Sequence, residues 1–115
     1  MSENCIFCKI VAGQAPAQIV YQDDRVTAFT DLHPAAPTHL LIIPNTHITS
    51  VNRITEEDAS LLGYLLVIGR KLAEQYQISQ SGYRLLINTG TDAGQTVYHI
   101  HLHLMGGKRL PGLSG

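Results

Sequence analysis

The chain has 115 residues, of which 44% are hydrophobic, and a mean hydropathy of +0.05. That is enough apolar content for one domain spanning 1–115 with one modest core, and too much for a disordered chain. Eight Lys and Arg against nine Asp and Glu, with no basic run, exclude a polyelectrolyte grip on DNA or RNA.

Met1-Ser2-Glu3-Asn4 carries neither a basic nor an apolar leader, and no apolar run approaches the length of a membrane span. A cytoplasmic protein is the expectation. The two cysteines fall together in Cys5-Ile6-Phe7-Cys8. In a cytosolic chain that spacing is a metal half-site or a redox pair rather than a structural disulfide. A thioredoxin-like pair needs a preceding strand, and none fits here. Zinc is the sharper reading, with two ligands supplied from elsewhere. The alternative is a pair of small packing residues.

Asn4 is expected to cap a short helix over Cys5–Val11, with Gly13 just past its end and Pro16 preventing continuation. Ile6, Phe7 and Ile10 share a face that needs an apolar partner. Ile19–Tyr21 and Val26–Thr30 read as a hairpin about Asp23-Asp24. Two prolines fix the loop 31–38, and His39–Ile43 forms a continuous apolar strand of the kind covered on both faces, which Pro44 stops. Thr55-Glu56-Glu57-Asp58 has the form of a capping box and opens a helix reaching about Tyr76. Leu61, Tyr64, Leu65, Ile68 and Leu72 make one apolar stripe on it. Leu62, Leu66, Gly69 and Ala73 make a second, roughly 100° round. A helix apolar on two sides needs two partners. The expectation is the sheet of its own subunit and, across Gly69 and Ala73, the helix of a second copy in a homodimer.

Tyr83–Asn88 is a fourth strand, and 89–96 a polar loop with two glycines. The fifth strand is Tyr98-His99-Ile100-His101-Leu102-His103-Leu104. On an extended chain His99, His101 and His103 line one face, and the apolar residues anchor the other in a core. Same-face neighbours lie about 6.5–7 Å apart, which suits side chains acting along a substrate better than three ligands on one ion. Geometry leans toward catalysis and leaves a metal site open. The remainder, 108–115, is a Pro/Gly-rich tail that can cross to a partner subunit. Strands, one long and one short helix and short connections without βαβ alternation indicate an α+β fold on an antiparallel sheet.

The loop before the histidines extends the case. Gly94, Gln95, Thr96 and Val97 offer backbone N–H groups, an amide and a hydroxyl to an anion, and Asn88 is a further donor. Imidazole is largely neutral at neutral pH, and so nucleophilic toward phosphorus. A phosphorylated imidazole is then released by water, which splits one displacement into two. The middle residue, His101, is the expected nucleophile.

His99-Ile100-His101-Leu102-His103-Leu104-Met105 matches the His-φ-His-φ-His-φ-φ signature of the histidine triad (HIT) family. Gly94–His99, Gly106-Gly107, Ile6-Phe7, Tyr21–Asp24, Ala28–Asp31 and Ala36–His39 resemble its nucleotide-binding-protein (Hint) branch, and the likeness runs from residue 5 to 107. The resemblance implies two five-stranded sheets joined in a homodimer of ten strands, with one purine nucleotide site per subunit. It implies hydrolysis of nucleoside 5′-phosphoramidates, such as AMP joined to lysine or a simple amine, with no cofactor for catalysis. His101 would carry the nucleotide and His103 would contact phosphate, with His39 and His99 in the supporting network. Asp31 would hold the ribose. Ile6, Phe7, Ile10, Phe29 and Leu32 would enclose the base, and Asn88, Gln95, Thr96 and Val97 would bind phosphate. Thr96 stands where well-known members carry serine, so its hydroxyl is kept and its methyl adds bulk on the leaving-group side. Cys5 and Cys8 resemble the pair of zinc-containing members, in which His47 and His99 would complete a Cys₂His₂ set. A nucleotide-binding module with vestigial chemistry, and a dinucleotide hydrolase or nucleotidyltransferase using the same intermediate, are the rival readings.

Overall fold

The computed structural model describes residues 4–113. The expectations that rest on Met1–Glu3 and on the last two tail residues lie outside them. Five strands form one antiparallel sheet in the order β1-β2-β3-β5-β4. They are β1 (Ile19–Gln22), β2 (Val26–Thr30), β3 (Thr38–Pro44), β4 (Tyr83–Leu86) and β5 (Leu102–Gly106). The short helix α1 is Ile6–Val11 and the long helix α2 is Ala59–Gln75.

β3 explains the layering. Its side chains alternate, and both sets are buried. Leu40 and Ile42 join Val26, Ala28, Leu102 and Leu104 in a core under Leu65, Ile68 and Leu72 of α2. Leu41 and Ile43 turn the other way and pack with Phe29, Phe7, Cys8 and Ile10 of α1. The apolar run at 40–43 is therefore covered on both faces, as its composition predicts. Each fully buried aliphatic side chain here is worth about 1.5–3 kcal/mol.

Three details differ from expectation. Cys5, not Asn4, caps α1: its Sγ accepts from the Cys8 N–H at 3.3 Å. A sulfur acceptor folds the Cys-x-x-Cys segment back on itself, so the cap also draws the two thiols together. Gly69 and Ala73 face the chain's own sheet rather than a second helix. A Cβ on Gly69 would stand 3.3 Å from Leu85 Cδ2 and 3.5 Å from Ile42 Cδ1, and Ala73 is fully buried. Gly69 and Ala73 of the second stripe widen the buried face made by Leu65, Ile68 and Leu72, whereas Leu66 of that stripe turns outward beside Val67, 50% and 43% exposed. The α2 start follows the sequence closely: the Asp58 carboxylate accepts the Thr55 N–H at 2.9 Å, over a 3₁₀ turn at Glu56–Asp58.

The third difference concerns the histidine segment. β5 begins at Leu102 instead of Tyr98. Continuing the register past Ile42↔Leu102 would set Ile100 opposite Pro44, which has no N–H to donate. The chain leaves the ladder there, and the Ile100 N–H donates to the Ile48 carbonyl at 2.7 Å instead. β4 likewise ends at Leu86, leaving Asn88 in the following loop. Among the described residues, no helix is long and apolar enough to cross a membrane.

Candidate active site

Although only His103 of the three lies within a strand, the imidazoles still face the α1 side of the sheet. The Phe7 ring makes edge contacts with both His99 and His101, at centroid distances of 5.9 and 5.2 Å. The His101 and His103 rings lie 5.0 Å apart. His39, from β3, stands on the far side of His103.

The hydrogen bonds assign the protons. The Ala35 main-chain N–H donates to His39 Nδ1 at 2.9 Å, so in the neutral ring the proton is on Nε2. That Nε2–H faces His103 Nδ1 at 2.9 Å, with the Asp31 carboxylate 3.3 Å away. His103 Nδ1 is thus an acceptor, and its proton sits on Nε2. Among the described residues this buried Nε2 has no hydrogen-bond partner. A buried donor without an acceptor is costly unless a ligand supplies one. His101 is arranged the opposite way: its Nδ1–H donates to the His99 carbonyl at 2.9 Å, which leaves the lone pair on Nε2. A lone pair and an N–H therefore stand side by side. Burial pushes all three imidazoles below their usual pKa, His103 to about 4 with the neighbouring His101 and His39 adding to the effect. The triad is neutral at pH 7.

His101 and His103 border a cavity of about 440 Å³. Ile6, Phe7, Ile10 and Phe29 supply its apolar walls, Asp31 and Thr96 its polar ones, and Val97 also lines it. Leu32 borders it too, 82% exposed at the open side. Pro16, Ala17, Thr30, His33 and Leu41 complete the lining and were not expected from sequence. Leu41 alone carried a signal, its parity opposite Leu40 and Ile42 in β3; the others converge only through the fold. Asn88, Gly94 and Gln95 are not among the described lining residues. The Gln95 side chain holds its own loop together, accepting from the Gly90 N–H at 2.9 Å and donating to the carbonyls of Thr49 and Val97 at 2.8 and 3.2 Å. The amide read as a phosphate donor is engaged there, and Gly94, at φ +90°, turns the chain into that loop.

On the other side of His99 lies a second cluster. His99 Nε2–H donates to the Pro44 carbonyl at 2.8 Å, so its Nδ1 lone pair points elsewhere. It meets Cys5 Sγ at 3.4 Å, Cys8 Sγ at 3.5 Å and His47 Nδ1 at 3.3 Å, and Cys8 Sγ is 3.2 Å from His47 Nδ1. All four atoms lie within 4.8 Å of one another. Tetrahedral zinc, with sulfur at about 2.3 Å and nitrogen at about 2.0–2.1 Å, sets edges of roughly 3.3 Å between nitrogens and roughly 3.6 Å from sulfur to nitrogen. The donor set fits such an ion, and the Pro44 carbonyl orients the His99 ring as a supporting acceptor does in metal sites.

The chain is similar to known proteins in sequence and in fold. The chain is 52% identical over 110 residues to the purine nucleoside phosphoramidase of Escherichia coli (strain K12), covering 96% of this chain and 92% of that protein. A HIT family hydrolase from Legionella pneumophila Philadelphia 1 superposes with a TM-score of 0.93 at 48% identity, over 94% of this chain and 96% of that one. A histidine triad protein from Clostridium difficile superposes with a TM-score of 0.95 at 40% identity, over 99% of both. The HIT domain profile matches residues 12–110, so with its sheet, its histidine row and these relatives the chain belongs to the histidine triad family.

Proposed function

We propose that the protein is a hydrolase, a purine nucleoside phosphoramidase that cleaves the P–N bond of nucleoside 5′-phosphoramidates. One observation carries the reading. Two neighbouring imidazoles on one cavity have opposite tautomers, a lone pair at His101 Nε2 and an unpartnered N–H at His103 Nε2. The first is a nucleophile for phosphorus and the second a donor to its oxygen. The name of the Escherichia coli relative supports the substrate class.

In the cavity the base lies among Ile6, Phe7, Ile10 and Phe29, with Leu32 at the opening, and the ribose hydroxyls reach Asp31. His101 Nε2 attacks phosphorus while the His103 N–H holds a phosphoryl oxygen. The charge arising on the His101 ring is stabilised through its Nδ1–H by the His99 carbonyl. The P–N bond breaks, its electron pair stays on nitrogen, and that nitrogen takes up a proton and leaves as the amine. The Thr96 hydroxyl, on the cavity wall, passes this proton from solvent. Water then attacks the nucleotidyl-imidazole, releasing the nucleoside monophosphate and restoring the His101 lone pair. His39 acts at one remove, holding the His103 tautomer. The main-chain N–H groups of Thr96 and Val97, which border the cavity, are further phosphate donors in this reading.

Cys5, Cys8, His47 and His99 would hold one zinc ion, whose contribution is folding energy for the α1 segment and the turn before β5, with no part in the reaction. The exposed Leu66 and Val67 on α2 and the open edge of β4 support a homodimer with a ten-stranded sheet. Sedimentation as a monomer at micromolar concentration would contradict it. The site itself is tested by amine release from an adenosine 5′-phosphoramidate, which His101→Ala is expected to slow by roughly 10³-fold or more. Equal nucleotide binding without release in both proteins would leave only a binding module.

A further inference from the structure

A second cavity, of about 390 Å³, opens beside the first. Ile6, Thr96 and Val97 border both. Its remaining sides are Asn4, Cys5, His47, Thr49 and Tyr98. The phosphoramidase reading assigns it no part.

We propose that this cavity is the leaving-group subsite, and that it selects amines bearing an extended uncharged substituent, an aromatic ring above all. The proposal rests on the phosphoramidase reading. Once the nucleoside fills the first cavity and phosphorus stands at His101 and His103, the substituent on nitrogen extends past the residue that serves the departing nitrogen. That residue is Thr96, and the neighbouring space it borders is the second cavity.

The chemistry of the walls sets the preference. Among the described residues, no Asp, Glu, Lys or Arg lines the cavity. Of its three ionisable side chains, Tyr98 carries a phenol, while Cys5 Sγ lies toward His99 and His47 Nδ1 toward Cys8 in the metal-type cluster. A carboxylate or ammonium on the leaving group would find no opposite charge there and would lose hydration on entering. Ile6 and Tyr98 instead present large apolar surfaces, 46% and 43% exposed, on the same cavity. Exposed apolar side chains gathered about a concavity mark a binding surface. Tyr98 offers a ring face or edge to an aromatic guest, and Asn4 and Thr49 offer neutral hydrogen-bonding groups.

The experiment compares kcat/KM for three adenosine 5′-phosphoramidates, of methylamine, 3-phenylpropylamine and 6-aminohexanoate, all carrying the phosphorus on a primary alkyl nitrogen. The wild-type protein is expected to prefer the phenylpropyl compound to the methyl one by about tenfold or more, the range a pocket contact supplies. The carboxylate compound should show no such gain. Thr49→Trp, which fills the cavity, should bring the phenylpropyl-to-methyl ratio to within about twofold while the methylamine compound is cleaved as before. Tyr98→Ala removes the ring without filling the space, and is expected to lower the same ratio. A wild-type ratio near one, or a ratio unchanged in both variants, overturns the subsite and leaves the phosphoramidase reading standing. Failure of the wild type to release any of the three amines is the distinct result that removes both.

Discussion

His39 Nε2 lies 2.9 Å from His103 Nδ1, and the Ala35 N–H lies 2.9 Å from the other nitrogen of His39. A main-chain donor thus fixes the protons of two imidazoles in series, and the outcome is an N–H on His103 directed away from the protein's own acceptors. His39→Ala removes the relay and frees His103 to take either tautomer. We expect kcat/KM to fall roughly tenfold, the rate equivalent of one lost hydrogen bond. Nitrogen chemical shifts of the His103 ring should move from the Nε2–H pattern to a mixture. An unchanged tautomer in His39→Ala would show that something other than His39 sets it.

Acid sensitivity follows from burial of neutral His101 and His103. His103 has its pKa pushed down to about 4, and His101 also lies below its ordinary value, burial being the first cause in each. The unfolded chain binds these protons near pH 6.5, whereas the folded chain resists them until lower pH. Their contribution to stability is therefore complete above about pH 6.5 and is lost as pH falls from there through about 4. Urea midpoints should hold between pH 8 and 7 and decline through pH 6 and 5. The acid limb of kcat/KM should likewise lie below the ordinary imidazole pKa. A limb at or above about 6.5 would contradict the buried-neutral assignment.

For the Cys₂His₂ cluster, protein purified without chelators should carry about one zinc per chain. His47→Ala should retain well under half of that and melt several degrees lower, since an ion bound only by the folded state stabilises it. Zinc far below one per chain in the wild type would leave Cys5 and Cys8 as packing residues.

Packing between α2 and the sheet gives a paired prediction. A Cβ at Gly69 would crowd Leu85 Cδ2 at 3.3 Å, and the further methyls of valine would have to find room beside it, so Gly69→Val should cost about 1–3 kcal/mol in denaturant unfolding. Gly63, on the same helix with nothing within 4 Å, should gain roughly 0.5–1 kcal/mol as Gly63→Ala. Equal effects at the two sites would mean that α2 is not seated against Leu85.

How far the sequence could be read depended on whether the signal was local. The β3 run, the β1–β2 hairpin and the capping residues of α2 are set by neighbours in the chain, and their patterns were legible. The faces of α2 were only half so: two rows about 100° apart describe one broad buried face as well as two separate ones, and Gly69 fits close approach to either a helix or a sheet. The end of β5 at Leu102 depends on Pro44, which is distant in sequence and adjacent only in the register. Gln95 shows the same limit from the polar side. Its amide looks like a ligand donor in a Gly-rich loop, yet the fold brings the Thr49 carbonyl to it. The triad was legible because alternation alone places three imidazoles on one side, even where the strand stops short.

The central claim is a covalent bond from His101 to the nucleotide, and the most direct measurement is the intact mass of protein quenched during the first turnovers of an adenosine 5′-phosphoramidate. We predict a wild-type species heavier by one adenylyl group, which decays as substrate is exhausted and is absent from His101→Ala. Amine release without any such species at the earliest times, together with turnover by His101→Ala at the wild-type rate, would contradict the account.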